Sequence, residues 1–108
     1  MDNFEDWLES LSKTTKLVIV EGKKDKKVLE ALGCQNIITI SNSLFNTLDS
    51  INSKEVIILT DLDRKGKRLY SISKKTLERK GIKVDTKFRE FLFKKTQISH
   101  IEGLKHYF

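Results

Sequence analysis

Three short apolar runs rich in β-branched residues constrain this chain more than any other feature. They are Lys16-Leu17-Val18-Ile19-Val20, Asn36-Ile37-Ile38-Thr39-Ile40 and Val56-Ile57-Ile58-Leu59-Thr60. Each has strand length and shows no polar alternation, which is how a strand buried on both faces is written. Between them lie stretches with helical spacing. Val28, Leu29 and Leu32 mark one face of a helix over 25–32, with Asp25 placed to cap it and Gly33 to end it. Leu44, Phe45, Leu48 and Ile51 mark a second helix after the polar loop Ser41-Asn42-Ser43. A basic helix is expected over about residues 65–80, stopped by Gly81, with Ile82-Lys83-Val84-Asp85 as a fourth strand. Strands that alternate with helices imply right-handed crossovers and a parallel sheet of about four strands, flanked by helices.

The ends of the chain add to this frame. Phe4, Trp7, Leu8 and Leu11 fall at i, i+3, i+4 and i+7, so a short amphipathic helix is expected over 3–12. The tail, 87–108, is less patterned. Phe88, Phe91, Leu92 and Phe93 suggest a helix or packed turn, and Ile98–Leu104 a further short strand and loop. With 108 residues the chain is expected to form one domain, 1–108.

Composition excludes several classes. A single cysteine, Cys34, cannot form an internal disulfide framework or a multi-cysteine zinc site. No apolar run approaches the roughly 20 residues of a membrane span, so no membrane partner is expected. The acidic start MDNFEDWLES lacks the basic, apolar pattern of a secretion signal, and a reducing, cytoplasmic setting is expected. The net charge is +6, and residues 1–13 carry −3 of it, which leaves +9 on the rest. A basic body of this size points to a polyanionic partner such as nucleic acid, although a lysine-rich solvated surface would give the same count.

Open parallel sheets place their sites at the carboxyl ends of strands. Here the first strand ends in Glu21, and the third in Asp61 and Asp63. If these two strands are neighbours, three carboxylates converge in one crevice. Clustered negative charges repel unless a cation neutralises them, and a hard divalent ion that keeps several waters would do so, Mg²⁺ before Mn²⁺. Cations surround the acids: Lys23, Lys24, Lys26 and Lys27 follow Glu21, while Arg64, Lys65, Lys67 and Arg68 follow Asp63. An acidic metal centre with a basic rim suits a phosphodiester, because the metal polarises the reacting phosphate and the rim holds its neighbours. Taken singly, each acid would more often be a cap or a solvated loop residue.

These two motifs, Val18-Ile19-Val20-Glu21-Gly22-Lys23-Lys24-Asp25 and Ile57-Ile58-Leu59-Thr60-Asp61-Leu62-Asp63-Arg64-Lys65-Gly66, resemble the Toprim domain. Topoisomerases, bacterial-type primases, repair proteins and several nucleases share it. The resemblance covers about residues 14–86. The Glu-Gly-Lys-x-Asp form is most similar to small stand-alone archaeal Toprim proteins and to the Toprim part of the 5S ribosomal RNA maturation nuclease. The resemblance implies that Glu21, Asp61 and Asp63 form a catalytic metal centre, with Asp61 and Asp63 binding the ion and Glu21, beside it as a further ligand, acting as general acid or base. It implies that Gly22, Asp25 and Gly66 shape the site. Lys23, Lys24, Arg64, Lys65, Lys67 and Arg68 would then grip nucleic acid.

The implied activity is Mg²⁺-dependent phosphodiester cleavage of nuclease type, with RNA favoured over DNA. The nuclease members usually carry a further recognition domain, for which this length leaves no room. Specificity would therefore come from the basic helix, the tail, a homodimer or a protein partner. The alternative is a non-catalytic nucleic-acid-binding subunit of a ribonucleoprotein or repair complex. A haloacid-dehalogenase-type phosphatase also uses Asp-x-Asp after an apolar strand, but there the motif stands on the first strand. Other residues carry less. Asn42 and Ser43 read first as helix-capping residues. His100 and His106 lack convincing metal-pair spacing, and Glu102-Gly103 repeats the Glu-Gly dipeptide without a strong strand before it. Cys34 reads as a small buried residue, and Tyr70 and Tyr107 as non-nucleophilic.

Overall fold

The structure is a computed structural model and describes residues 1–40 and 42–107. Strands β1 (Leu17–Val20), β2 (Ile37–Thr39), β3 (Glu55–Ile58) and β4 (Lys83–Asp85) form one parallel sheet in the order β2-β1-β3-β4. Helices α1 (Phe4–Lys13), α2 (Lys23–Ala31), α3 (Leu44–Ser50), α4 (Arg64–Arg79) and α5 (Lys87–Lys95) flank it, and a 3₁₀ helix, Ile101–Tyr107, closes the described chain. The expected α/β architecture is the observed one.

The apolar runs are unbroken because alternate residues serve opposite faces. Val18, Val20, Ile57 and Leu59 pack with Trp7 and Leu11 of α1, Leu29 of α2, Phe88 and Leu92 of α5, and Ile101 and Leu104 of the 3₁₀ helix. Leu17, Ile19, Val56, Ile58 and Val84 pack with Leu48 of α3 and Leu77 of α4 on the other face. Full burial of such a side chain contributes about 1.5–3 kcal/mol, so the two cores hold the sheet from both sides. Trp7 also gives its Nε1–H to the Phe88 carbonyl at 2.8 Å, which satisfies the buried indole and ties α1 to α5.

Two local expectations are corrected. Asp25 does not cap α2: Gly22 holds the N-cap position and Asp25 lies in the first turn. The segment after Ile98 is not a strand. Ile98, Ile101 and Leu104 are buried at intervals of three, which is the 3₁₀ repeat and places them on one side of the turn. Ser43 occupies the N-cap position of α3 but its side chain makes no capping bond. Ser41, in the polar loop before it, lies outside the described residues.

Candidate metal and nucleic-acid site

The sheet order decides the site. β1 and β3 are adjacent and parallel, with Ile19 beside Ile58, so their carboxyl ends open on the same edge. The pairing with β1 continues one residue past β3, where Leu59 N donates to Ile19 O at 2.8 Å. Two residues later, Asp61 N donates to Glu21 Oε2 at 2.7 Å. That bond joins the tips of the two strands. Glu21, Gly22, Lys23, Lys24, Asp25, Asp61 and Lys65 then line one cleft of about 510 Å³, together with Asn42 and Glu102.

Asp63 has a second task. It is the N-cap of α4, and its Oδ1 accepts from Gly66 N at 2.7 Å. The loop between β3 and α4 is folded tightly onto this helix start. Thr60 Oγ1 donates to Gly66 O at 2.7 Å, and a Cβ on Gly66 would lie 2.0 Å from the Asp61 carbonyl oxygen. Only glycine fits there. Gly22 differs: its backbone is extended, at φ −147°, and a Cβ there would meet nothing within 4 Å among the described residues. What its missing side chain leaves is room in the cleft.

Two elements beyond the motifs hold the Asp61 loop from outside. Arg89 of α5 donates through Nε to Thr60 O at 3.1 Å and through Nη2 to Asp61 O at 2.8 Å. Its guanidinium lies 4.3 Å from the Tyr70 ring centre and 5.0 Å from that of Phe93, so aromatic faces orient the fork. The C-terminal segment supplies the rest. Leu62 N donates to Ser99 O, and Ile101 N donates to Asp61 Oδ1, both at 2.8 Å. His100, between these ties, brings Nε2 within 3.4 Å of Asp63 Oδ2.

Crowded acids leave an electrostatic signature. Burial raises the Glu21 carboxyl above its ordinary value, and the charges of Asp61 and Asp63 add to the rise; the Asp61 N–H and Lys65 oppose it. Asp25 is pushed up to about 6 by burial and by Asp61, with Glu21 and Glu102 adding and the Gly22 N–H opposing. Negative charge is thus held at a cost in this cleft, which is the condition a bound cation would relieve. Asp61, Asp63 and His100 can each offer one donor atom, all within 4.8 Å of one another. Carboxylate oxygens with one imidazole nitrogen, open to solvent, fit a divalent ion that keeps waters.

A protein-family model described as the Toprim domain matches residues 15–86. The chain belongs to the Toprim family. Its relatives include a UPF0292 protein of Methanocaldococcus jannaschii, 38% identical over 99 residues that cover 85% of this chain and 77% of the relative. A UPF0292 protein of Archaeoglobus fulgidus is 30% identical over 105 residues, covering 95% and 85%. Among solved structures, a putative protein from Aquifex aeolicus superposes with a TM-score of 0.87 at 35% identity, over 95% of this chain and 99% of that one. Membership in the Toprim family points to a nucleic-acid-related function and to divalent-metal binding.

The Toprim motifs account for most of the cleft, though not all of it. Arg64, Lys67 and Arg68 are exposed on α4 and lie outside the cleft lining. Arg89, His100 and Glu102 were not singled out as site residues from the sequence. Glu102 carried a faint signal in its Glu-Gly dipeptide. Arg89 and His100 carried none, because both reach the site from segments that follow the family-matched region. Cys34 is buried among apolar residues, which raises its thiol to about 11 and makes it a poor nucleophile.

Proposed function

We propose that this Toprim protein cleaves phosphodiester bonds in nucleic acid with a divalent ion, Mg²⁺ or Mn²⁺, and prefers RNA to DNA. The observation that carries the reading is the 2.7 Å bond from Asp61 N to Glu21 Oε2, which joins the two strand tips where Glu21, Asp25 and Asp61 share a cleft with Lys23, Lys24 and Lys65. Asp61 and Asp63 would hold the ion. When bound, it would supply Lewis-acid stabilisation of the charge that grows on the phosphate.

The chain's own residues do the remaining work. Lys23, Lys24 and Lys65 at the cleft, with Arg64, Lys67 and Arg68 along α4, hold flanking phosphates and set the register of the strand. The oxygen of a water bonds to phosphorus and one ester P–O bond breaks. Glu21, whose raised pKa brings it nearer neutrality than an ordinary glutamate, takes the proton of the water. The leaving oxygen is protonated from solvent. Arg89 does not touch the substrate in this scheme; it positions the Asp61 carbonyl. The preference for RNA rests on the Glu-Gly-Lys-x-Asp form of the first motif and its similarity to a ribosomal RNA maturation nuclease.

The test is cleavage of labelled structured RNA, single-stranded DNA and duplex DNA, with Mg²⁺, Mn²⁺ or chelator, by the native chain and by Asp61→Ala and Asp63→Ala. Products that require a divalent ion and vanish in both variants are expected, with structured RNA cut fastest. Cleavage that survives in both variants would overturn the proposal. Binding that falls steeply with salt, without products under any condition, would replace it with the non-catalytic subunit.

A further inference from the structure

We infer that His100 is a direct nitrogen ligand of the divalent site, and that the site therefore takes Mn²⁺ in preference to Mg²⁺. The inference rests on the reading that Asp61 and Asp63 hold the metal. It begins with what those carboxylates have left to offer. Asp61 Oδ1 is engaged by Ile101 N, and Asp63 Oδ1 by Gly66 N. Each aspartate thus has one oxygen bound to a backbone N–H and one remaining, the arrangement in which a ligand is oriented by its other atom. On Asp63 the remaining oxygen, Oδ2, is the one that His100 Nε2 faces at 3.4 Å. Donors that share one ion at about 2.1 Å stand about 3–4 Å apart, so the three donor atoms, all within 4.8 Å, need only small side-chain adjustments.

The second ring nitrogen is also provided for. Ser99 Oγ lies 3.1 Å from His100 Nδ1. A proton on Nδ1 can be given to that hydroxyl, which leaves the Nε2 lone pair aimed at the carboxylates. In that tautomer the lone pair faces a carboxylate oxygen, a repulsion that a cation between them relieves; with the proton on Nε2 the ring donates towards Asp63 Oδ2 instead. The backbone on both sides of His100 is fixed to the aspartate loop, through Leu62 N to Ser99 O and Ile101 N to Asp61 Oδ1, both 2.8 Å. An exposed ion pair with Asp63 would contribute at most about 1 kcal/mol and gives no reason for such fixing.

Metal preference follows from donor chemistry. Mg²⁺ takes oxygen ligands and gives up its waters reluctantly. Imidazole suits first-row transition ions better than it suits Mg²⁺, and Mn²⁺ shares with Mg²⁺ the preference for carboxylate and water. Between these two ions, two carboxylates and one imidazole favour Mn²⁺. The histidine lies beyond the family-matched region, 15–86, so the C-terminal segment would set the metal preference of a site whose acids come from the core.

The experiment uses the full chain, stripped of metal. Mn²⁺ and Mg²⁺ are titrated by calorimetry, and the Mn²⁺-loaded protein is examined by pulsed electron paramagnetic resonance for coupling to ¹⁴N. A nitrogen coupling is expected in the native chain and in His106→Ala, and is expected to vanish in His100→Ala and His100→Gln. Mn²⁺ affinity should fall about tenfold or more in both His100 variants, and Mg²⁺ affinity by less than about threefold. Circular dichroism checks that the variants fold, and the glutamine variant retains a polar side chain of similar bulk. Mn²⁺ binding that Asp61→Ala abolishes but that shows no nitrogen coupling in the native chain would overturn the role of His100 and leave the aspartate site standing. No Mn²⁺ binding by the native chain would overturn both.

Discussion

Replacing Gly66 with alanine should cost this protein a large share of its stability, and the size of the effect follows from one contact. A Cβ at Gly66 would stand 2.0 Å from Asp61 O, 2.5 Å from its carbonyl carbon and 2.8 Å from its nitrogen. Ordinary carbon–oxygen contact is about 3.3 Å, so the Asp61 backbone must retreat by more than about 1 Å. It has nowhere to go. Its N–H is held by Glu21, its carbonyl by Arg89 and its carboxylate by Ile101 N. Retreat breaks some of these charge-assisted bonds, each about 1.5–3 kcal/mol, in addition to overpacking of about 1–3 kcal/mol. Partial relaxation keeps the sum near 3–5 kcal/mol, a large share of a typical 5–15 kcal/mol domain. Urea unfolding followed by tryptophan fluorescence, with Trp7 as the probe, should show the midpoint fall by roughly 2 M. Gly22→Ala is the control: it meets no atom and should lose at most about 1 kcal/mol, the preference for glycine over alanine at an N-cap. A Gly66→Ala midpoint within about 0.3 M of the native chain would refute the argument.

Three further outcomes follow. Asp25, raised from 3.8 to about 6, holds a proton in the folded chain that the unfolded chain has lost, so stability falls as pH rises through that window and the loss is complete above it. Asp25→Asn should therefore be more stable than the native chain at pH 7 by about 1 kcal/mol after solvent screening, and equal to it at pH 3; chelator-treated urea curves from pH 3 to 8 would expose an unchanged slope. Lys80 donates from Nζ to the carbonyls of Leu48, Asp49 and Ile51 at 2.8–2.9 Å and so closes the end of α3. Lys80→Met should cost about 1–2 kcal/mol by thermal unfolding, and no loss would mean that water serves those carbonyls equally well. Ser73, buried in α4, has a side-chain oxygen with no hydrogen-bond partner among the described residues. Ser73→Ala should leave stability unchanged or raise it by up to about 1 kcal/mol in the same assay; a clear loss would reveal an unseen partner.

The legibility of this chain varied with how local the signal was. The strands were readable because burial on both faces removes all polar alternation, and their bounds differ from expectation by one or two residues. The third run overshoots its strand: Leu59 and Thr60 are buried and Leu59 N still donates to Ile19 O, yet the strand stops at Ile58. The start of α2 lies earlier than its capping pattern suggests: Asp25 is a good capping residue by type, whereas the chain leaves β1 straight into a glycine cap. The tail is not a strand because its backbone is tied to the Asp61 loop, Ile101 N donating to Asp61 Oδ1 and Ser99 O accepting from Leu62 N, and its apolar residues recur at three rather than two. A histidine with no partner nearby in sequence gives no sign that Asp63 will lie 3.4 Å away.

The sequence by itself determined the layers and the location of chemistry. Apolar runs of strand length between amphipathic stretches admit little besides a parallel sheet covered on both faces, and acids at two strand tips mark its carboxyl edge. It could not order the strands. Only the tertiary structure put β1 beside β3, and with that made Glu21 and Asp61 neighbours across 40 residues of chain. Only the tertiary structure brought Arg89 and His100 to the same loop. Periodicity records which face of an element is buried, because each residue carries that information in its own side chain. Which element lies against that face depends on pairs of residues far apart in the chain, and no local pattern encodes the pair.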